Sequence, residues 1–156
     1  MEKAVEVRVL NAGDVLLIRG MLNMFGTAFE DVATYTNKQP DDAYLAALLS
    51  RPDFIAIAAV SERQVVGGLA AYVLTKFEQA RSETYIYDLA VEERFRRQGI
   101  ATAMIREVQK ASRARGAHVV FVQADYEDEP AVALYTKLGV REEVLHFDIK
   151  EPDSAA

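Results

Sequence analysis

Residues 84–125 hold the arrangement that most restricts the fold. TYIYDLAV (84–91) is a β-rich apolar run, RFRRQGIATAMI (94–105) turns and enters a helix that stops at Gly116, and HVVFVQAD (118–125) is a second apolar run. A strand, a helix and a strand joined in this way form a crossover whose two strands lie parallel in one sheet. A ligand site is then expected beyond their carboxyl ends, where such a sheet opens.

The remaining segments supply the rest of an α/β (α+β) layer structure. VEVRVL (5–10) alternates as a half-buried strand, and Asn11 is placed to cap a helix carrying Val15, Ile18, Leu22 and Phe25. FEDVATYTNKQPDD (29–42) has no periodicity and reads as a structured loop, after which DDAYLAALL sets Tyr44, Leu45, Leu48 and Leu49 on one side of a helix. FIAIAAV (54–60) and QVVGGLAAYVL (64–74) make a hairpin with a bulge or close approach at Gly67 and Gly68. EPAVALYTKLG is a helix bounded by Pro130 and Gly139, and VLHFDIK (144–150) closes the sheet. The order β–α–α–β–β–β–α–β–α–β predicts a mixed sheet with helices on its faces. Residues 1–150 read as one domain and 151–156 as a disordered tail.

Composition narrows the chemistry. The chain has no cysteine, so disulfides, thiolate metal sites and a cysteine nucleophile are excluded, and His118 and His146 are too separated for zinc. A net charge of −6 argues against nucleic acid and fits a cationic ligand better, though by itself it is equally the modest acidity that keeps a soluble protein from associating. Charges at Glu2, Lys3, Glu6 and Arg8 occupy the place of a signal peptide's apolar stretch, and no run is long enough for a membrane helix, so a soluble cytoplasmic protein is expected.

In this acidic chain the turn at 94–101 is cationic. A strand feeding a helix through a glycine turn aims backbone N–H groups and the positive end of the helix dipole at one spot, which attracts phosphate. Gly99 admits a close backbone approach, Ala101 keeps the first helical turn slim, and Arg94, Arg96 and Arg97 add charge. The alternative is a simple turn with a solvated arginine face.

The pattern Arg96-x-x-Gly99-x-Ala101, between an apolar strand and a helix, resembles the coenzyme A pyrophosphate-binding motif of the GCN5-related N-acetyltransferase superfamily. The resemblance implies that fold, a mixed twisted sheet with splayed central parallel strands and helices on both faces. It implies acetyl-CoA as donor, with the pyrophosphate held by backbone amides of Arg97, Gln98, Gly99, Ile100, Ala101 and Thr102 beside Arg96. The pantetheine arm would pair with the strand edge at Leu89, Ala90 and Val91.

Acetyl transfer to an amine needs a neutral amine, a stabilised oxyanion and a proton for the departing thiolate. Tyr135 stands where the superfamily places the tyrosine that protonates the CoA sulfur; otherwise it is a core aromatic on the stripe of Ala131 and Leu138. Asp88 interrupts an apolar strand, which is costly unless the carboxylate is hydrogen-bonded, at a bulge or used. It is the first candidate for amine binding, the alternative being a carboxylate satisfied by neighbouring backbone. The base is Asp88 or a water held by Glu83, Asp88 or Asp125, and a backbone N–H near Leu89 is the expected oxyanion donor. Asp128 and Glu129 are assigned to helix capping. Asp125, Glu127, Glu143 and Asp148 are candidates for a cation-binding wall, with Glu30 and Asp31 on a loop that closes over it.

Loops as well as strands, among them FEDVATYTNKQP, VVGGLAAYVLTKFEQARSETYIYDLAV and QADYEDEPAVALYTKLGVREEVLHFDI, are similar to the type I aminoglycoside 3-N-acetyltransferases. That resemblance spans about residues 25–150. It implies acetylation of the 3-amino group of a 2-deoxystreptamine antibiotic of the gentamicin kind, and a homodimer. A same-fold enzyme acting on a polyamine or peptide amine, or an acyl-CoA-binding module without turnover, are the other readings.

Overall fold

Alternating apolar runs pair edge to edge through residues 6–122 to form five strands: β1 (Glu6–Val9), β2 (Phe54–Ser61), β3 (Gln64–Thr75), β4 (Ser82–Val91) and β5 (Ala117–Val122). The computed structural model describes residues 3–153, and these divide between Gln123 and Ala124 into two compact units. In the first unit the strands lie in the order β1-β2-β3-β4-β5, antiparallel up to β4 and parallel between β4 and β5. The mixed sheet and the parallel crossover are as the sequence predicts.

The β2–β3 hairpin closes through Glu62 and Arg63, both at positive φ, as a two-residue turn of matching twist requires. The pairing then slips by one residue, since Ala59 faces Gly67 while Val60 faces Val65, so a bulge lies beside the glycine pair. Gly67 and Gly68 themselves answer to close approach. A Cβ on Gly67 would sit 3.3 Å from Met104 and 3.4 Å from Ile100, and one on Gly68 would sit 3.1 Å from Met21 and from Phe25. Successive strand residues face opposite sides. Helix α1 (Val15–Ala28) therefore covers one face and helix α4 (Ile100–Ala114) the other. The core follows: Ile18, Met21 and Phe25 from α1, Leu45 and Leu49 from α3 (Asp42–Leu49), and Met104 and Val108 from α4 are all buried. Truncating a side chain such as Met104 to alanine costs about 2–5 kcal/mol in a core of this kind.

Several expectations are corrected. Helix α1 is entered through Asp14 rather than Asn11, whose side chain instead accepts from Gly13 N at 2.8 Å. Residues 29–42 are not all loop: α2 (Val32–Thr36) forms there, with Asp31 as N-cap accepting from Thr34 N at 3.2 Å. A single turn is too short to show a period, so its cap is its only signal. Tyr44 does not share the buried side of α3 and is exposed.

In the second unit, α5 (Glu129–Leu138) begins at Asp128, which accepts from Ala131 N at 3.3 Å, with Pro130 in its first turn and Gly139 at its end. No strand forms at residues 144–150, where Val144, Leu145, Phe147 and Ile149 are exposed. Alternation describes what a segment can do, and a strand exists only where another pairs with it. As a result the parallel pair β4–β5 stands at the sheet's edge rather than at its centre. The last residues of the expected tail, 154–156, lie outside the described residues.

Candidate active site

Three features of the first unit converge on the carboxyl half of β4. The β4–β5 ladder runs from Ser82 and Ala117 to Ile86 and Val122 and stops, while β4 continues paired to β3 as far as Val91. From Tyr87 to Val91, then, one side of β4 is used by β3 and the other has no strand beside it among the described residues. Leu89 and Ala90 are only partly covered. This free edge is the opening expected of splayed parallel strands, and its N–H and C=O groups are suited to an extended amide-bearing chain.

The turn after β4 is the second feature. A single 3₁₀ turn (Glu93–Phe95) leads to Arg97 at φ 61° and Gly99 at φ 79°, and α4 starts at Ile100. No side chain caps that helix start. A Cβ on Gly99 would meet nothing within 4 Å, so no protein atom excludes a side chain here; the positive φ and the open space above it are what glycine serves. Arg97, Gln98, Gly99, Ile100 and Ala103 line a shallow cavity of about 340 Å³ with Lys3. The three arginines divide their roles. Arg94 is paired with Glu92 at 2.6 Å, and Arg96 donates through Nε to the Val91 carbonyl at 3.1 Å, tying the turn to the strand end. Arg97 has no ion pair or hydrogen bond among the described residues and supplies the cationic lining, whereas Lys3 beside it is paired with Glu62 at 2.9 Å. A pyrophosphate fits this cradle of uncapped N–H groups, open glycine and free guanidinium.

Asp88 is the third. The β3–β4 register slips beside it, with Ala70 opposite Asp88 and Ala71 opposite Ile86, so Tyr87 bulges out. The carboxylate is partly buried and accepts from Tyr35 Oη at 3.0 Å through Oδ2. It makes no salt bridge among the described residues. Burial raises its pKa above the usual carboxylate value, and the Tyr35 bond opposes that rise. Burial and the facing Asp88 charge together push the Tyr35 hydroxyl far up, so it stays a donor at any physiological pH. Tyr72 and Tyr85 are also held above the ordinary phenol range, by burial first and then by Tyr87 and Asp88. The bulge and the hydrogen bond meet two of the conditions that make a mid-strand carboxylate tolerable.

The other expected carboxylates are engaged elsewhere or exposed. Glu83 lies near the opposite end of β4 beside Lys76 (3.5 Å) and His118 (3.9 Å). Asp31 is spent on the α2 cap, and Glu30 is exposed at φ 54°. In the second unit Asp125 and Glu127 are exposed, Glu143 accepts from Arg141 at 2.6 Å, and Asp148 meets His146 at 3.0 Å. Tyr135 is partly buried on α5, its hydroxyl pushed up to about 12 by burial and then by Asp128. Tyr35 escaped the sequence reading because it falls in an aperiodic segment. The Asp31-x-x-Thr34 spacing of an N-cap was the available signal.

An opened parallel pair, a glycine turn at a helix start and a carboxylate at a bulge in the strand between them describe an acyl-CoA-dependent transferase fold, and the sequence agrees. It matches the Acetyltransferase (GNAT) family over residues 19–140, and the chain belongs to that family. Members of the family use acetyl-CoA. Among solved structures, the aminoglycoside acetyltransferase HMB0005 from an uncultured soil metagenomic sample is 56% identical, with 96% of this chain and 99% of that one covered and a TM-score of 0.92. The aminoglycoside acetyltransferase meta-AAC0020, also from an uncultured soil metagenomic sample and solved with sisomicin, is 30% identical over 95% and 97% of the two chains, with a TM-score of 0.85. Among curated proteins, the N-acetyltransferase 8B of Rattus norvegicus is 32% identical over 89 residues, 57% of this chain and 40% of its own. The N-alpha-acetyltransferase of Sulfurisphaera tokodaii is 29% identical over 96 residues, 54% and 58% of the two chains. The matches thus span 40% and 58% of these curated relatives.

Proposed function

We propose that this protein transfers acetyl from acetyl-CoA to the 3-amino group of a 2-deoxystreptamine aminoglycoside of the gentamicin type, acting as a cytoplasmic homodimer that confers resistance. The observation that carries the reading is Asp88: a partly buried carboxylate with no cationic partner, at a bulge beside the open edge of β4. A cationic amine is the natural partner of such a group. The identity of the similar solved structures as aminoglycoside acetyltransferases supports the choice of amine.

Acetyl-CoA, when bound, supplies an activated thioester. In this reading the amides of Arg97 to Thr102 and the Arg97 guanidinium hold its pyrophosphate, Arg96 fixes the turn on Val91, and the edge from Leu89 to Val91 aligns the pantetheine arm. Asp88 receives the ammonium and takes its proton directly or through a water, and its raised pKa makes it a better base than an ordinary aspartate. A backbone N–H near Leu89 faces the developing oxyanion. Tyr135 is the acid for the departing sulfur. With its pKa pushed up to about 12 it is protonated at neutral pH but is a weaker acid than a free phenol, so it serves the sulfur mainly as a hydrogen-bond donor until the bond to carbon is broken. Asp125, Glu127, Glu143 and Asp148 attract the remaining ammonium groups.

The test is consumption of acetyl-CoA in the presence of gentamicin, with the acetylated nitrogen located by mass spectrometry and NMR. Acetylation at N3 supports the reading, and acetylation at another nitrogen reassigns the regiochemistry. A peptide amine is the second reading, favoured by the similarity to the N-alpha-acetyltransferase. Turnover of peptides with none of gentamicin would select it.

A further inference from the structure

We infer that Tyr35 is a positioning residue for acetyl transfer: its hydroxyl holds Oδ2 of Asp88 and thereby keeps Oδ1 for the acceptor amine. The inference rests on the reading of Asp88 as the group that receives that amine. Its basis is the way α2 is built. The hydroxyl reaches Asp88 at 3.0 Å across fifty-three residues of sequence, and it is the only side-chain hydrogen bond to that carboxylate among the described residues.

The phenol is braced at both ends. Its ring stands 5.9 Å from Phe25 and 5.7 Å from Phe29, which stack on each other at 5.4 Å. Its carbonyl accepts from Gln39 Nε2 at 3.1 Å, and Gln39 in turn reaches Asn23 (2.9 Å) and receives Arg19 (3.0 Å), both on α1. Asp31 pins the start of α2. A short helix with no buried residue is thus held against α1 by its aromatic side chain and by one glutamine. Such bracing lowers the freedom that a hydrogen bond to Asp88 must overcome.

The groups that bear on Asp88 are few. Tyr35 comes from α2, with Asp31 behind it; Tyr72 comes from β3; Tyr85 and Tyr87 are neighbours on β4. Neutral phenols and one more carboxylate offer the ionised Asp88 no cation, so its single hydrogen bond is what favours the charged form against burial. Without it the carboxyl rotates more freely and accepts a proton at higher pH. A base must be deprotonated to act, so the acid limb of the pH profile would move upward.

The experiment compares wild type, Tyr35→Phe, Asp88→Asn and the double variant, reading kcat/KM for gentamicin from about pH 5 to pH 9 at saturating acetyl-CoA. Tyr35→Phe keeps the ring against Phe25 and Phe29. Its expected effect is a roughly tenfold loss, the size of one hydrogen bond to a charged group. The acid limb should shift to higher pH with the acetyl-CoA KM unchanged, and in the Asp88→Asn background the second substitution should cost almost nothing. A parallel carbon-13 titration should show the Asp88 carboxyl pKa rising in Tyr35→Phe. An unmoved acid limb, or a full additional loss in the Asp88→Asn background, overturns the inference while the proposed function stands. Undiminished turnover by Asp88→Asn overturns the role of Asp88 itself, and the inference with it. Should Tyr35→Phe not fold, Gly26→Ala carries the same test, because the added methyl moves α2 and draws the Tyr35 hydroxyl away from Asp88 while the side chain itself is unchanged.

Discussion

The Cβ that Gly26 lacks would lie 3.4 Å from the Cβ of Tyr35 and 3.3 Å from the backbone of Val32. Helix α2 therefore rests on α1 at Gly26, where α1 presents no side chain, and that contact sets how far the Tyr35 hydroxyl extends toward Asp88. Gly26→Ala makes opposing changes: it gains helix propensity, about 1 kcal/mol, and pushes α2 outward by a few tenths of an ångström. Stability should change little, while kcat/KM for the acceptor falls severalfold and the acetyl-CoA KM holds. Thermal melts and steady-state kinetics on the same preparation check both halves.

Asp88→Asn should raise stability while removing activity. The folded state holds the Asp88 pKa above its unfolded value, so folding favours the protonated form. Its contribution is most favourable below the unfolded pKa, near 3.9, and is lost as pH rises through the folded value. Asparagine carries no charge to bury at any pH. The Tm advantage of the variant should thus be present at pH 7–8 and shrink as the pH falls toward 4, provided the amide keeps the Tyr35 bond. A melt series across that range decides it, and a gap that widens toward acid would contradict the burial argument.

Gly99→Val separates the turn's conformation from its packing. A side chain there meets no protein atom, so the expected stability cost is the left-handed backbone alone, about 1–2 kcal/mol and somewhat more for a β-branched residue. The new methyl groups occupy the space over the helix start. The Kd for coenzyme A should rise by tenfold or more in a protein that still folds, measured by titration calorimetry beside a thermal melt.

Tyr135→Phe removes a proton donor and keeps a ring. A fall in kcat of roughly 10²–10⁴, typical of a lost acid–base group, is the expected result, with both KM values near normal. The alkaline limb of the wild-type profile should not be set by this phenol below about pH 12, where its own titration falls. Near-normal turnover would assign Tyr135 to packing.

What could be read from the residues divides along a physical line. The crossover from Ser82 to Val122, the hairpin, the helix that stops at Gly116 and the cap at Asp128 all rest on local patterns that operate within a few residues, and they stand. The turn at Gly99 was legible for the same reason. Asp88 stood out as a charge in an apolar strand, and the structure supplies the bulge and the hydrogen bond that such a charge requires. Tyr35 was not legible, because its meaning depends on a partner 53 residues away and on a helix of a single turn. The segment 144–150 alternates like a strand and forms none, since pairing is decided by what lies alongside. Arg94 looked like part of the phosphate cradle by proximity in sequence, but Glu92 neutralises it.

Gly67 and Gly68 carry a mechanical consequence. At this point α1 touches one side of the β3 backbone and α4 the other, with no side chain of β3 interposed. Helix α1 carries Phe25, against which the Tyr35 ring of α2 packs, and α4 begins at the Gly99 turn. A displacement of either helix is transmitted to the other through the thickness of one peptide unit, as through a membrane stretched between two pistons. A methyl group on Gly67 would press on α4 and one on Gly68 on α1, so a substitution at either glycine should reach the handling of donor and acceptor together.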